Sequence, residues 1–366
     1  MDFADIDGED KVLSFEYLHE EDDPPSYLEI EEALKKLKNY KSAGIDNISN
    51  EQLKYGAPGL LPWLKDLFEV IWNKEDIPSD WRKGIITIIP KKGDLTYCNN
   101  NRGITLRSTV SKLFQIILLS RLGAGLEHLL RENQCGFRRN RSCIDQLYSL
   151  HCIIQNCIEF NIPMYVNFID FKAAFDSINR DIIWKAFEHY GLPNKYINMF
   201  KAFFKETESA VRFNGDLTRW FNVESGTGQG DVQGPPIFNV VINWALELAE
   251  RFKTVSKGLI LQRRQSSRQP ERCVVDLDYA DDIAAMDNTA DGLQETTDYI
   301  AKYSAYGGLR MNSKKTDCMV IEKDTSQQPL PEDRIVNITV EGNPVKQVTE
   351  FTHLGAKITS DGRIDK

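Results

Sequence analysis

The sequence predicts an α+β fold, on three observations. Amphipathic helical stretches and antiparallel hairpin signals are mixed along the chain without regular β-α-β alternation. "SAVRFNGDLTRWFNV" reads as a hairpin about Asn214-Gly215, a favoured tight-turn pair. "DLDYADDIAAM", residues 276–286, reads as a second hairpin with acids at its tip.

The first 25 residues are acidic, with Pro24 and Pro25, and read as a disordered leader. "SYLEIEEALKKLKN" carries Leu28, Ala33, Leu34 and Leu37 at helical spacing. Gly44, Asp46 and Asn47 break it. "LPWLKDLFEVIWNK" predicts a second amphipathic helix, stopped near Pro78. "GIITIIPKKGD" is β-rich and ends in a basic turn. "TLRSTVSKLFQIILLSRLGAGLEHLL" predicts a long helix with a glycine interruption. "PMYVNFIDF" is a buried strand, followed by helices near 179–190 and 194–205. "GPPIFNVVINWALELAERF" is a helix opened by proline. A helix over roughly 291–306 precedes "GLRMNSKKTDCMVI", a turn into a strand, and short strands follow to about residue 360.

With 366 residues, 41% apolar and 27% charged, the composition is that of a soluble globular protein of two or three structural units. No uninterrupted apolar run approaches the roughly 20 residues that cross a bilayer, so no membrane partner is expected. The acidic start is no signal peptide. Seven scattered cysteines without a C-x-x-C pair argue against zinc and for buried thiols in a reducing, intracellular setting, nuclear or cytoplasmic. The net charge of −9 is unevenly spread. Residues 1–34 hold 13 Asp/Glu against one Lys, residues 81–145 hold 12 Lys/Arg against 4 Asp/Glu, and residues 251–272 hold 7 Lys/Arg against one Glu. Clustered basic segments suit phosphate binding more than the overall charge suggests. Solvated charged faces would look the same.

Adjacent Asp281 and Asp282 lie in an apolar, strand-like run, where Asp is depleted. A solvated turn explains them, and so does a site for a hard divalent cation. Asp170 ends a second apolar strand, with Asp176 six residues on. A strand-end Asp plus a double-Asp hairpin offers a way to hold two Mg²⁺ ions for phosphoryl transfer.

"FIDFKAAFD" and "YADD" resemble motifs A and C of reverse transcriptases, most closely those of non-LTR, LINE-like retrotransposons. The resemblance implies a right-hand polymerase with fingers and an antiparallel palm sheet flanked by helices. It assigns Asp170, Asp281 and Asp282 to two Mg²⁺ ions, with Mn²⁺ a substitute. Asp176 is read as structural, capping a helix that begins near Ser177. Asp276 and Asp278 receive no role. "YKSAGIDNISNEQLK" resembles the motif upstream of the fingers. "IITIIPKKGD" and "NNRGITL" resemble the fingers motifs, which implicates Lys91 and Arg102 in triphosphate contact. "QCGFRRNRSCIDQ" resembles the template-side element, with Arg138, Arg139 and Arg141 as phosphate contacts. "GQGDVQGPPIFN" resembles motif B through Gln229 and Gly230, where glycine lets the backbone approach template and nucleotide; Gly234 replaces the usual Ser. "GLRMNSKKT" resembles motif D, with Lys315 a candidate proton donor, or else a surface lysine. "EFTHLGAKI" resembles motif E, the primer grip, about Leu354 and Gly355. Phe175, five residues after Asp170, holds the position of the family's steric gate; as residue type alone it reads as core.

The resemblance spans roughly residues 28–360. It implies residues 26–160 as N-terminal extension and fingers and 161–366 as palm with motifs A to E, some fingers segments interleaved. The thumb is expected to be absent or truncated, and no endonuclease domain is expected. The implied activity is RNA-directed DNA synthesis from dNTPs on a DNA or RNA primer along an RNA template, with oligomeric state unknown. A non-catalytic RNA-binding polymerase-fold scaffold is the alternative, and an RNA-dependent RNA polymerase a third.

Overall fold

The computed structural model describes residues 15, 23–91, 93–94, 96–97, 100–254, 256–266, 268–322 and 335–365. The leader expected over 1–25 lies mostly outside them. In chain order the elements are α1 (Tyr27–Lys36), α2 (Asn50–Lys74), a 3-10 turn (Ser79–Arg82), β1 (Lys83–Pro90), β2 (Asn101–Leu106), α3 (Thr109–Leu129), α4 (Cys143–Glu159), β3 (Met164–Ile169), α5 (Ala174–Ser177), α6 (Arg180–His189), α7 (Asn194–Phe204), β4 (Glu208–Phe213), β5 (Asp216–Leu217), β6 (Phe221–Asn222) and α8 (Gly234–Phe252). They continue as β7 (Leu259–Gln262), β8 (Arg272–Val274), β9 (Asp276–Tyr279), β10 (Asp282–Asp287), α9 (Ala290–Tyr306), β11 (Asp317–Ile321), β12 (Thr339–Val340), β13 (Asn343–Pro344), β14 (Lys346–Gln347), β15 (Glu350–His353), β16 (Ala356–Thr359) and β17 (Ile364–Asp365). This is the expected α+β class.

Local chemistry sets several starts. Ser26, Ser49 and Ser142 each close a capping box with the residue three positions on, Glu29, Gln52 and Asp145. Each such cap contributes about 1 kcal/mol. The box at Ser49 begins α2 well before the expected 61–74 stretch, and the helix runs through Pro58 and Pro62. Both prolines are solvent-exposed, so the carbonyls they leave without a donor can be hydrated. The glycine interruption expected in α3 is absent; the helix continues through Gly123 and Gly125. By length and mean hydropathy α3 could cross a membrane, although Lys112, Gln115 and Arg121 interrupt its apolar run. Leu113, Phe114, Ile117, Leu118 and Leu122 on it are nevertheless buried, as on a core helix. Asp176 lies inside α5, and α6 is capped by Asn179, which accepts from Asp181 N.

The chain divides into two compact units. One comprises residues 1–129 and 178–240, the other 130–177 and 241–366. In the first, β1 pairs antiparallel with β2 and parallel with β4. Asn214 and Gly215, at φ 52° and 94°, turn β4 into β5 as expected of a type I′ hairpin. Phe68, Trp81, Phe114 and Phe203 cluster in its core, with Phe68 and Phe114 centroids 5.0 Å apart. Arg107 and Asp231 form a buried ion pair at 3.1 Å, which ties the end of β2 to the loop before α8.

The second unit is built on a five-stranded sheet, ordered β14-β11-β3-β10-β9. β3 is central and antiparallel to both β10 and β11. Met164, Val166 and Phe168 alternate onto one face and join a core with Leu150 and Ile154 of α4 and Ala284 and Met286 of β10. On the other face Asn167 Nδ2 donates to Thr297 Oγ1 of α9 at 2.7 Å. Phe168 also stacks on Phe351 of β15, centroids 4.4 Å apart, so the β15–β16 hairpin is fastened to the sheet.

Removing Arg107 leaves the buried Asp231 carboxylate without its cation. Arg107→Leu is expected to destabilise the protein by about 3–5 kcal/mol, the usual cost of halving a buried pair. Urea unfolding at neutral pH checks this, and a loss under about 1 kcal/mol would show that the pair is dispensable.

Candidate active site

Asp170 and Asp282 meet because of strand register. Ile169 pairs with Ile283 across β3 and β10. The next antiparallel step therefore sets Asp170 opposite Asp282, where neighbouring Cα atoms lie about 4.5–5.5 Å apart. Tyr279 pairs with Asp282 across β9 and β10, so Ala280 and Asp281 are the two turn residues. Burial, then the Asp281 and Asp170 charges, push the Asp282 pKa up to about 6. Asp282 keeps open surface, so solvent screens part of that repulsion.

The turn is held from behind. Ala280 sits in the left-handed region at φ 58°, uncommon without glycine. Gln134 Oε1 accepts from Ala280 N at 2.8 Å and from Gly136 N at 2.7 Å. Cys135 N donates to Asp278 O, and Asp278 N donates to Asn133 O, so residues 133–135 lie along the edge of β9 like a further strand. A Cβ on Gly136 would stand 2.2 Å from Ala280 N; only glycine allows that approach.

Asp276 and Asp278, left without a role by the sequence, both receive the Arg131 guanidinium. Arg131 reaches Asp276 at 2.9 Å and Asp278 at 2.6 Å. Asn133 Nδ2 adds a bond to Asp276. Burial and the neighbouring Asp276 push Asp278 up to about 7, and Arg131 acts against them.

Asp170 is laced to the segment ahead of β11. Asn312 N donates to Asp170 O at 2.7 Å, and Asn312 Nδ2 to Asp170 Oδ2 at 3.1 Å. Lys315 Nζ lies 3.7 Å from the same Oδ2. A cleft of about 470 Å³ opens here, lined by Asp170, Asp282, Lys314, Lys315, Thr352 and Leu354 among others. Leu354 and Gly355, at φ 49° and 85°, form the two-residue tip of the β15–β16 hairpin. His353 beside them is buried, which drops its pKa to about 4 and keeps it neutral.

The remaining candidates are distributed. Phe175 is half-buried rather than core, with its ring edge-on to Phe137, centroids 6.0 Å apart. Arg138 turns inward and donates to the Arg131 and Gln134 carbonyls, so the expectation of a phosphate contact does not suit it. Arg139 is exposed, and Arg141 pairs with Glu132. In the other unit, Arg102 is exposed on β2 and Lys91 follows β1. Gln229 O accepts from Thr105 N at 2.8 Å. Gly230, at φ 106°, has no room for a Cβ because Ile104 Cγ2 would lie 2.8 Å away. Its glycine is thus required by the chain's own β2, a reason the motif reading did not supply.

The donor set at the cleft is carboxylate oxygen, which fits a hard cation. Among the described residues no three His, Cys, Asp or Glu side chains are gathered so as to hold a metal by themselves.

Residues 89–358 match the family model described as reverse transcriptase (RNA-dependent DNA polymerase). The chain belongs to the reverse transcriptase family. Among curated reverse transcriptase relatives, it is 28% identical over 350 residues to a probable RNA-directed DNA polymerase from transposon BS of Drosophila melanogaster, covering 92% of this chain and 36% of that protein. It is 26% identical to a Pol polyprotein from a type-1 retrotransposable element R2 of Popillia japonica, over 66% of this chain and 32% of that one. The expected kinship with non-LTR retrotransposon polymerases is borne out. The chain spans about a third of the length of these relatives. Among solved structures, apo telomerase from Candida tropicalis, truncated from its C-terminal domain, superposes with a TM-score of 0.53 at 12% identity, over 91% of this chain and 64% of that one. That likeness establishes the polymerase fold with fingers and palm.

Sequence reading missed Arg131, Gln134, Gly136 and Asn312. The signal for the first three was at hand: Gln134 and Gly136 lie inside the quoted "QCGFRRNRSCIDQ" element, and Arg131 stands three residues before it.

Two outcomes follow. Asp281→Asn removes a negative neighbour, so the Asp282 titration midpoint should fall from about 6 toward 3.8; carboxyl NMR reads this, and an unmoved midpoint would mean the two do not interact. Arg131→Ala should cost about 3–5 kcal/mol near pH 7. The sign is set by Asp278, whose raised pKa means the folded state holds its proton more tightly than the unfolded one. Stability therefore falls as pH rises from about 4 to 7, more steeply in the variant. Urea unfolding across that range should show the deficit shrinking at pH 4, and a deficit independent of pH would contradict the uncompensated-carboxylate account.

Proposed function

We propose that this chain performs RNA-directed DNA synthesis, extending a DNA or RNA primer with dNTPs along an RNA template. The observation that carries the reading is the opposition of Asp170 and Asp282 across neighbouring strands, with Asp281 at the adjacent turn, in a cleft shared with Lys315 and the Leu354 hairpin. The primer 3′-hydroxyl attacks the α-phosphate in line, and pyrophosphate leaves. Asp170, Asp281 and Asp282 are the residues that would hold two Mg²⁺ ions, or Mn²⁺ in their place. Bound there, the ions would neutralise charge on the attacking and leaving oxygens.

The chain's own groups supply the rest. Lys315 offers a proton to the leaving pyrophosphate and, without substrate, balances Asp170. Lys91 and Arg102 take triphosphate oxygens, one as a point charge and the other as a fork. Gln229 and Gly230 shape the nucleotide side through their loop. Arg139 and Arg141 follow the template phosphates. Leu354 and Gly355 carry the primer end. An intracellular place of work follows from the same reading.

Phe175 excludes the 2′-hydroxyl. Burying a hydroxyl against a ring that offers no acceptor costs about 1–3 kcal/mol, roughly 5- to 150-fold in discrimination.

Primer extension on poly(rA)/oligo(dT) with Mg²⁺ tests the activity. Asp281→Asn is expected to abolish extension while the circular dichroism spectrum is kept; extension that survives would end the two-metal reading. Phe175→Val should raise ribonucleotide incorporation while dNTP extension falls only modestly. Equal loss of both would assign Phe175 to packing.

A further inference from the structure

The cleft acids sit at one end of the central strand β3. At its other end, beside Pro163, a groove of about 980 Å³ is lined by Phe160, Asn161, Gln262, Arg263, Gln265 and Arg272, among others. Pro163 and Asp170 are seven residues apart, and the six residues between them are β3, so the two sites lie roughly 20 Å apart.

The groove is made by the tail of α4 and the β7–β8 hairpin. That hairpin falls in the segment with 7 Lys/Arg against one Glu. Its one acid, Glu271, is bound to Lys257 at 2.9 Å. Arg263, Arg264, Arg268 and Arg272 are exposed, and none has a carboxylate partner among the described residues. Guanidinium groups left without carboxylates are suited to phosphate. Phe160, the residue after α4, is 63% exposed, a large aromatic surface left in water. The amides of Asn161 and Gln265 are exposed as well.

Arginines along a groove with an aromatic face and amide groups are the parts of a single-strand binding surface. Phosphates pair with the cations, a base stacks on the ring, and amides reach base edges or a 2′-hydroxyl. A folded acidic protein would use the arginines but not need the ring. The geometry points to a second nucleic-acid site, a single-stranded RNA groove at the end of the palm sheet away from the catalytic acids. The choice of RNA over DNA rests on the reverse-transcriptase reading, in which an RNA strand extends beyond the active site; the phosphate-binding character does not.

The full chain is irradiated with (rU)12 carrying 4-thiouridine, and adducts are mapped to peptides. An adduct is expected within residues 160–163 or 259–274. Arg263→Gln with Arg272→Gln should lower its yield and reduce the salt slope of binding by about 1.4, two phosphates' worth on a single strand. The pair Arg263→Lys with Arg272→Lys should restore both. Phe160→Ala should weaken the adduct by about 5-fold or more, the lower end of one stacked base. All variants should melt with the wild type and keep primer extension. No adduct in the groove, or one unchanged by these substitutions, overturns the site. Poly-glutamate of matched charge competing as well as RNA overturns the nucleic-acid assignment, and (dT)12 labelling the groove as strongly as (rU)12 overturns the choice of RNA. Extension is read separately, so its failure in the wild type would remove the polymerase reading and leave the groove to be judged by the adduct.

Discussion

The acidic hairpin is possible because Arg131 divides its acids into two kinds. Four carboxylates fall within seven residues, 276 to 282. Asp276 and Asp278 alternate onto one face of β9 and share one guanidinium that is itself largely buried. Taking carboxylates out of water costs several kcal/mol each unless a well-placed partner compensates, and one cation serves both. Asp281 and Asp282 lie further on, at the turn and the start of β10. Structural charge is thus settled below the tip, and the repulsion left over is concentrated at the tip, among Asp281, Asp282 and Asp170.

Gln134 and Gly136 then fix the tip's shape. A non-glycine residue in the left-handed region persists only where its surroundings over-determine it, and Ala280 has both a bond at its amide and a backbone packed against it. The segment that resembles the template-side element therefore first serves as a splint for the acidic hairpin. Asn312 does the same for Asp170 from the opposite flank. Side chains held by strands and locked by neighbours keep the close tolerances that catalysis needs. Lys315, exposed and 3.7 Å from Asp170 Oδ2, is held less tightly.

Local patterns made much of this legible in advance. An apolar run marked β3, the Asn214-Gly215 pair located one hairpin and the acids of 276–286 located the other, because those signals depend on neighbours a few residues apart. The three tip acids stood out because Asp is foreign to buried strands. Arg131 was silent because its partners are about 145 residues away, and no periodicity reports an ion pair of that span. Gly230 was assigned to substrate approach, whereas Ile104 of β2 already forbids a side chain there. The start of α2 lies ahead of Pro58 and Pro62, both on the solvent side, and not at Leu61, where the expected stretch began. Asp176 was read as the cap, whereas the backbone path places Asn179 at the start of α6 and leaves Asp176 inside α5.

The charge distribution of the second unit resolves an apparent conflict in composition. A net charge of −9 opposes a polyanion only if the acids act on the place where it binds. At physiological ionic strength, exposed charges are screened over about 8 Å. The acids of the cleft lie at one end of β3, and Pro163, in the groove that Arg263 and Arg272 line, lies at the other, roughly 20 Å away by strand length, more than two screening lengths. Each end therefore presents its own potential, one acidic and the other basic. Within the acidic end, Asp276 and Asp278 are already neutralised in large part by Arg131, so they add little to the field outside. Net charge reports on solubility, while the local arrangement decides where a nucleic acid can lie.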